Sequence, residues 1–323
     1  MMNLFCKTLL ASALASATLA SAYAAEPLTV VYGKLNVTAQ SNDEKGDATT
    51  TIQSNASRFG VKGDFALSSS LEAFYTVEYQ VDTGAASSDN FTARNQFVGL
   101  KGAFGSFSVG RNDTLLKISQ GDVDQFNDLS GDLGKLFKGE VRAAQTATYL
   151  TPSFGDFVFG VTYVAEGNDV KGQFAQDGFS VAAMYGDAKL KKTPVYASLA
   201  YDSDVSGYEI VRASLQAKLA GIKLGGMYQQ QEQTYKYDSV TSMPVEVTAE
   251  SANGYLLSAA YDIDVVTLKA QFQDMEDLGD SWSVGADYSL GKPTKLFAFY
   301  TNRSLEASND DDKYIGVGLE HKF

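Results

Sequence analysis

The sequence predicts an all-β fold, a transmembrane antiparallel β-barrel of 16 strands with short turns at one end and longer loops at the other. Three observations carry that prediction. Aromatic residues (18 Tyr, 19 Phe and 1 Trp) are spread through a chain that is 44% hydrophobic yet slightly polar in mean hydropathy, at −0.15. Segments alternate between apolar and polar residues, one of them throughout 71–82, which matches the ~9–11 residues a tilted strand needs to cross a bilayer. Tight connections also alternate with polar stretches along the chain.

In that segment Leu71, Ala73, Tyr75, Val77, Tyr79 and Val81 form one face, and the intervening positions are polar except Phe74. Val266, Leu268, Ala270 and Phe272 alternate likewise with Thr267, Lys269, Gln271 and Gln273. A soluble sandwich has the same period, but its strands are usually only about five or six residues long. Short connections fall near 66–70, 102–105, 152–156, 187–193, 219–221, 261–264 and 290–293. Between them lie polar stretches at 41–51, 83–91, 113–139, 167–173, 203–207, 234–250, 275–281 and 303–311. Seven turns and eight loops join the 16 strands. Pro152, Pro194, Pro244 and Pro293 fall in or beside these connections, where no ladder N–H is lost. The segment 113–139 is far longer than a hairpin connection. It mixes apolar anchors with Asp122, Asp124, Asp128 and Asp132, and is expected to fold into the lumen.

Lys7, the apolar stretch from Leu9 to Leu19 and the small residues of Ala22-Tyr23-Ala24 read as a secretory signal peptide over 1–24, leaving 25–323 as one barrel domain. Cys6 is the only cysteine and lies within that signal, so no disulfide is expected. Removing Lys7 with the leader takes the formal charge from −13 to −14. Such a charge opposes nucleic-acid binding, which depends on Lys and Arg releasing counterions. Past residue 24 no apolar run reaches eighteen residues, so membrane-spanning helices are not expected. The single histidine, His321, stands two residues from the C-terminus and is a poor general base. With no thiol, phosphate loop or dinucleotide fingerprint, neither enzyme activity nor a cofactor or metal is expected.

Four stretches carry a family likeness. They are Leu28 to Leu35, Ser57 to Gly63, Arg94 to Leu100 followed by Phe104 to Asn112, and Tyr314 to Phe323. They resemble the first strands, the most specific internal pair and the last strand of the general diffusion porins of Gram-negative outer membranes. The likeness covers essentially the whole mature chain. It implies a homotrimer in the cell outer membrane, set among lipid and lipopolysaccharide, that passes ions and small hydrophilic solutes. It also implies an inward third loop whose acids, from Asp122, Asp124, Asp128 and Asp132, face an arginine ladder; by motif position the arginines are Arg58, Arg94 and Arg142. Phe323 resembles the signal read by the barrel-assembly machinery. Two departures are that the loop lacks a Pro-Glu-Phe-Gly-Gly pattern and that His321 stands where an aromatic usually sits.

Alternation independently puts Arg58 on the face of Lys62 and Asp64, and Arg142 with Ala144, Thr146 and Thr148, opposite Tyr149. Arginines facing carboxylates across narrow water make a transverse field that orients polar solutes and opposes apolar ones. The charge of −14 predicts a cation preference if lumen and mouth share the excess. Asp310-Asp311-Asp312 reads as a solvated loop tip. Arg111, on the face of Phe107 and Val109, reads as structural. Tyr32, Tyr163, Tyr185, Tyr201, Tyr288, Trp282 and Phe323 suit interfacial girdles, and Ile315, Val317, Leu319, His321 and Phe323 share a face expected toward lipid. Two alternatives remain: a substrate-selective channel, for oligosaccharides for example, with Phe74 as its isolated hint, and a barrel enzyme or adhesin.

Overall fold

The computed structural model describes residues 28–84, 90–166, 177–237, 244–247 and 249–323, so the expected signal peptide lies outside the described residues. β1 (Leu28–Glu44) turns through Lys45 and Gly46, both at positive φ, into β2 (Asp47–Ser54), and β3 (Arg58–Ala66) follows. Next come β4 (Leu71–Val81), β5 (Phe91–Gly102) and β6 (Gly105–Asp113). A long segment then holds the one-turn helix α1 (Leu115–Ser119) and a 3-10 turn (Leu133–Lys135). The chain continues through β7 (Arg142–Leu150), β8 (Phe157–Val164), β9 (Gly178–Gly186), β10 (Val195–Val205), β11 (Tyr208–Leu219) and β12 (Ile222–Gln233). After a small hairpin of β13 (Tyr235–Tyr237) and β14 (Pro244–Glu246) come β15 (Ala252–Ile263), β16 (Val266–Met275), β17 (Gly279–Gly291), β18 (Thr294–Leu305) and β19 (Asp312–Lys322).

Successive strands pair antiparallel, with β12 reaching past the small hairpin to β15. β1 also pairs with β19, from Lys34 opposite Lys322 to Asp43 opposite Lys313, so the sheet closes on itself. β1 pairs with β2 at Val37 opposite Ser54 and with β3 at Lys34 opposite Arg58. Those two segments are therefore halves of one stave, interrupted near Ala56 at positive φ, and the 17 segments make a 16-strand barrel. The turns fall where the sequence predicts them. The polar stretch at 41–51 differs, because all but Lys45 and Gly46 is strand: a two-residue turn with positive φ at both positions lets the polar residues pair.

Burial along the staves is inverted relative to a soluble sheet. Leu215 is 56% exposed and Ile315 and Val317 each 59%, whereas Thr38 and Gln229 are fully buried. Closure supplies the reason: every ladder N–H and C=O is paired without an edge, so the outer face can meet hydrocarbon while the inner face keeps its polar groups. Tyr201, Trp282, Tyr288 and Phe323 lie on the exposed face. Tyr32 corrects the girdle assignment, because Val31 points outward and its neighbour turns inward to donate a hydrogen bond to Glu78 at 3.0 Å. Buried apolar clusters form mainly where the segment after β6 touches the wall. Leu115 and Leu116 pack on Ala182, Ala200 and Ile210; Val123, Leu133, Leu136 and Phe137 on Met227, Leu256 and Met275; Phe126 and Leu129 on Phe297, Phe299 and Tyr314.

The closing seam depends on a glycine. Phe323 N–H donates to the Gly33 carbonyl at 3.1 Å and Gly33 N–H to the Phe323 carbonyl at 2.9 Å. A Cβ on Gly33 would stand 2.4 Å from the Phe323 ring and 2.6 Å from the Arg58 carbonyl oxygen. Gly33→Val is expected to cost about 3 kcal/mol, the upper end of what overpacking costs. The folded, heat-modifiable band on gels should be lost or strongly reduced; an unchanged band and melting temperature would contradict this account of the seam.

Candidate functional site

The segment between β6 and β7 is held at its neck by Thr114 N–H on the Val141 carbonyl, at 3.1 Å. Polar side chains of the inner face then grip its backbone. Tyr196 and Ser198 on β10 donate to the Ser119 carbonyl at 2.8 and 2.6 Å, and Ser258 on β15 donates to that of Val123 at 2.5 Å. Gln271 on β16 accepts from Gln125 N–H at 2.8 Å and donates to the Gly131 carbonyl at 3.0 Å. A loop backbone away from water needs such partners, and here the wall supplies them.

Arg212 on β11 is the deepest anchor, with its side chain 1% exposed. Its Nε donates to Gln229 at 2.7 Å, one terminal nitrogen to Gln120 at 2.7 Å and Glu140 at 2.9 Å, and the other to the Lys138 carbonyl at 2.8 Å. One planar fork therefore ties both ends of the segment to the wall.

The predicted aspartates divide into two kinds. Asp124 accepts from the Phe126 and Leu133 N–H groups at 2.8 and 2.9 Å, and Asp132 from those of Gly134 and Asp128 at 2.7 and 2.8 Å. Both carboxylates shape the segment itself. Burial raises their pKa values, and for Asp124 the charge of Asp132 adds to the effect. The other two reach across to bases. Asp128 meets Lys34 Nζ at 2.7 Å and Arg58 at 2.8 Å, and Asp122 meets Lys189 at 2.9 Å. Burial alone would raise Asp128, but the charges of Lys34 and Arg58 outweigh it and hold the carboxyl below its ordinary value.

Of the three predicted arginines, Arg58 is paired with a loop acid. Arg94 instead donates to Glu78 at 2.6 Å and Gln80 at 3.0 Å, both on β4. Arg142 is held by Asn95 and by Asp113 at 3.0 Å. All three still belong to one electrostatic neighbourhood, since Arg58 is within Coulombic range of the other two. The face assigned to Arg142 needs a correction. A bulge opposite Arg111, with Gln145 at positive φ, shifts the register, so Ala143 and not Ala144 is buried with Thr146 and Thr148.

A cavity of about 620 Å³ lies between residues 121–129 and the facing inner wall. Its wall carries seven bases (Lys34, Arg58, Lys189, Lys223, Lys269, Lys295 and Lys322) and six acids (Asp122, Asp124, Asp128, Asp262, Asp287 and Glu320). Sequence reasoning singled out none of the lysines as site residues. Alternation did place Lys269 on the polar face of its strand, but nothing local shows which strands meet around the cavity. Phe297 is its one aromatic among the described residues. Phe74 pairs edge-on with Phe97 at 6.1 Å elsewhere on the wall.

An apolar exterior, a polar-lined interior, tight turns at one end and long connections at the other define a bacterial outer-membrane barrel of the channel-forming class. The model of the Gram-negative porin family matches residues 10–321, and the chain belongs to that family. It is similar to the major outer membrane protein P.IB of Neisseria meningitidis serogroup B, 27% identical over 300 residues and 85% of each chain. Among solved structures it resembles Salmonella typhi OmpF (TM-score 0.72, 18% identity, 91% of this chain and 97% of that one). It also resembles the anion-selective porin from Comamonas acidovorans (TM-score 0.68, 18% identity, 92% of this chain and 100% of that one). At such identities the structural likeness speaks for the fold. The protein is an outer-membrane porin of a Gram-negative bacterium.

Proposed function

We propose that this porin is a homotrimeric general diffusion channel for ions and small hydrophilic solutes, with residues 114–141 folded into the lumen to constrict it. Arg58 and Asp128 form the narrow part, backed by Arg94 and Arg142. Asp122 lies further along the same passage, while Asp124 and Asp132 hold the loop in shape. Cleavage after Ala24 would release the mature chain, lipid and lipopolysaccharide would cover the outer face, and Phe323 at the seam would be read by the barrel-assembly machinery. The observation that carries the reading is the Asp128 bridge between loop and wall.

The cation preference expected from net charge needs lumen and mouth to share the excess, and the cavity wall, with seven bases to six acids, does not share it. Acids crowd instead at the long-connection end, at Asp274, Glu276, Asp277 and Asp280, and again at Glu306, Asp310, Asp311 and Asp312. At 1 M salt, where the Debye length is about 3 Å, the narrow part decides selectivity. The reading is therefore a pore with a weak anion preference at high salt. The single aromatic of the cavity wall gives no support to an oligosaccharide track.

Planar-bilayer recording tests this. Stepwise insertion in groups of three levels is expected, with a reversal potential slightly on the anion side in a gradient of concentrated salt. Absence of conductance steps would refute the channel, and a strong cation potential would refute the placement of charge.

A further inference from the structure

Eight charged residues of the cavity wall are joined into one chain of contacts. Arg58 meets Asp128 at 2.8 Å, Asp128 meets Lys34 at 2.7 Å, and Lys34 meets Glu320 at 3.6 Å. Glu320 is shared with Lys322 at 3.1 Å and Lys295 at 4.0 Å. Lys295 also meets Asp287 at 2.8 Å, and Asp287 meets Lys269 at 3.0 Å. Five bases thus surround three acids, a local excess of two positive charges. The two most exposed members are bases, Lys295 at 33% and Lys322 at 63%, whereas Glu320 at 10% and Asp287 at 16% are covered to about the same extent as Lys269 and Lys34. The groups of this chain most open to the water of the cavity are therefore the ammonium groups of Lys295 and Lys322, which have N–H donors to spare.

We infer that the inner face of β16 to β19, with Lys34 and Arg58, is a low-affinity subsite for a small dianion, either a short dicarboxylate or inorganic phosphate. The two unmatched positive charges balance such an ion, whereas a monoanion leaves one uncompensated and a cation is repelled. The lysine stems let the ammonium groups follow the ion, which suits transient binding in a passage that must also release it. The inference rests on the channel reading above and names a solute class for the same passage.

The test records single-channel chloride current at constant ionic strength with added succinate, inorganic phosphate at pH 8, or acetate. Succinate, phosphate or both should reduce or flicker the current at concentrations about fivefold below those at which acetate does, because a second unit charge, worth about 1 kcal/mol, multiplies the binding constant about five-fold. Succinate alone acting identifies two separated carboxylates as the chemistry; phosphate alone identifies a compact dianion. Lys295→Gln and Lys322→Gln should each bring the dianion's effect several-fold closer to that of acetate, while Lys101→Gln, beside Asp64 and Glu72 and outside the cavity wall, should not. Lys322→Gln changes the most exposed member and so tests the site even if Lys295→Gln fails to assemble. Dianions acting no better than acetate on a conducting wild-type pore overturn the subsite alone, as does an unaltered effect in Lys322→Gln. A refolded protein without conductance steps overturns the channel and the subsite together.

Discussion

Replacing Arg212 by Met is expected to loosen the third loop and produce a noisier, larger open channel. The side chain is almost completely covered, and its fork holds Gln120 at the start of the loop together with Lys138 and Glu140 at its end. Methionine fills much of the volume but donates nothing, so Glu140 loses its ion-pair partner and keeps only the bond from Gln120, at 3.3 Å, while the Lys138 carbonyl keeps only the bond from Gln229, at 3.0 Å. Breaking a buried pair by removing one partner costs about 3–5 kcal/mol. The barrel ladder is independent of this contact, so heat-modifiable gel mobility should survive while open-channel current noise and mean conductance rise. Arg212→Lys should restore little, because a point charge cannot reach four acceptors at once. Conductance and noise equal to wild type would show that the apolar anchors Leu115, Leu116, Phe126 and Phe137 suffice.

Asp128→Asn is the second large effect, this time on selectivity. The substitution keeps the shape and removes the charge that Lys34 and Arg58 share. At 4 Å in water a unit charge is worth about 1 kcal/mol, so the anion-to-cation permeability ratio should rise about five-fold. A carboxyl held below its ordinary value keeps its charge, and the stability that charge confers, until pH falls through that lower value. The difference in reversal potential between wild type and variant should therefore persist from neutrality to about pH 4 and disappear only below it. A difference already lost at pH 5 to 6 would show that Lys34 and Arg58 do not stabilise the carboxylate.

Several parts of this were readable in the residues themselves. Period-two alternation marked the staves, because successive side chains of a strand point to opposite faces. Prolines and small polar clusters marked the connections, and the excess length of 113–139 marked a segment with a task of its own. Counting by twos fails where local backbone changes the count, at the bulge opposite Arg111, and where a two-residue turn makes the polar 41–51 region a hairpin. Residue type alone places Tyr32 in the girdle, whereas strand parity turns it inward toward Glu78. Net charge is a property of the whole chain, whereas what bears on the passage is the share of it that lines the cavity.

The sequence alone determined the barrel, its strand count, its direction of burial and the polar character of its inner face, because those follow from local periodicity and from backbone groups that must pair within the sheet. Only the tertiary structure decided which charges meet. Lys34 and Glu320 lie near opposite ends of the chain and become neighbours through closure of β1 on β19, and Asp128 reaches Arg58 because the loop folds back on the wall. Such pairings depend on register and ring closure summed over the whole circumference, and no stretch of residues encodes that sum locally.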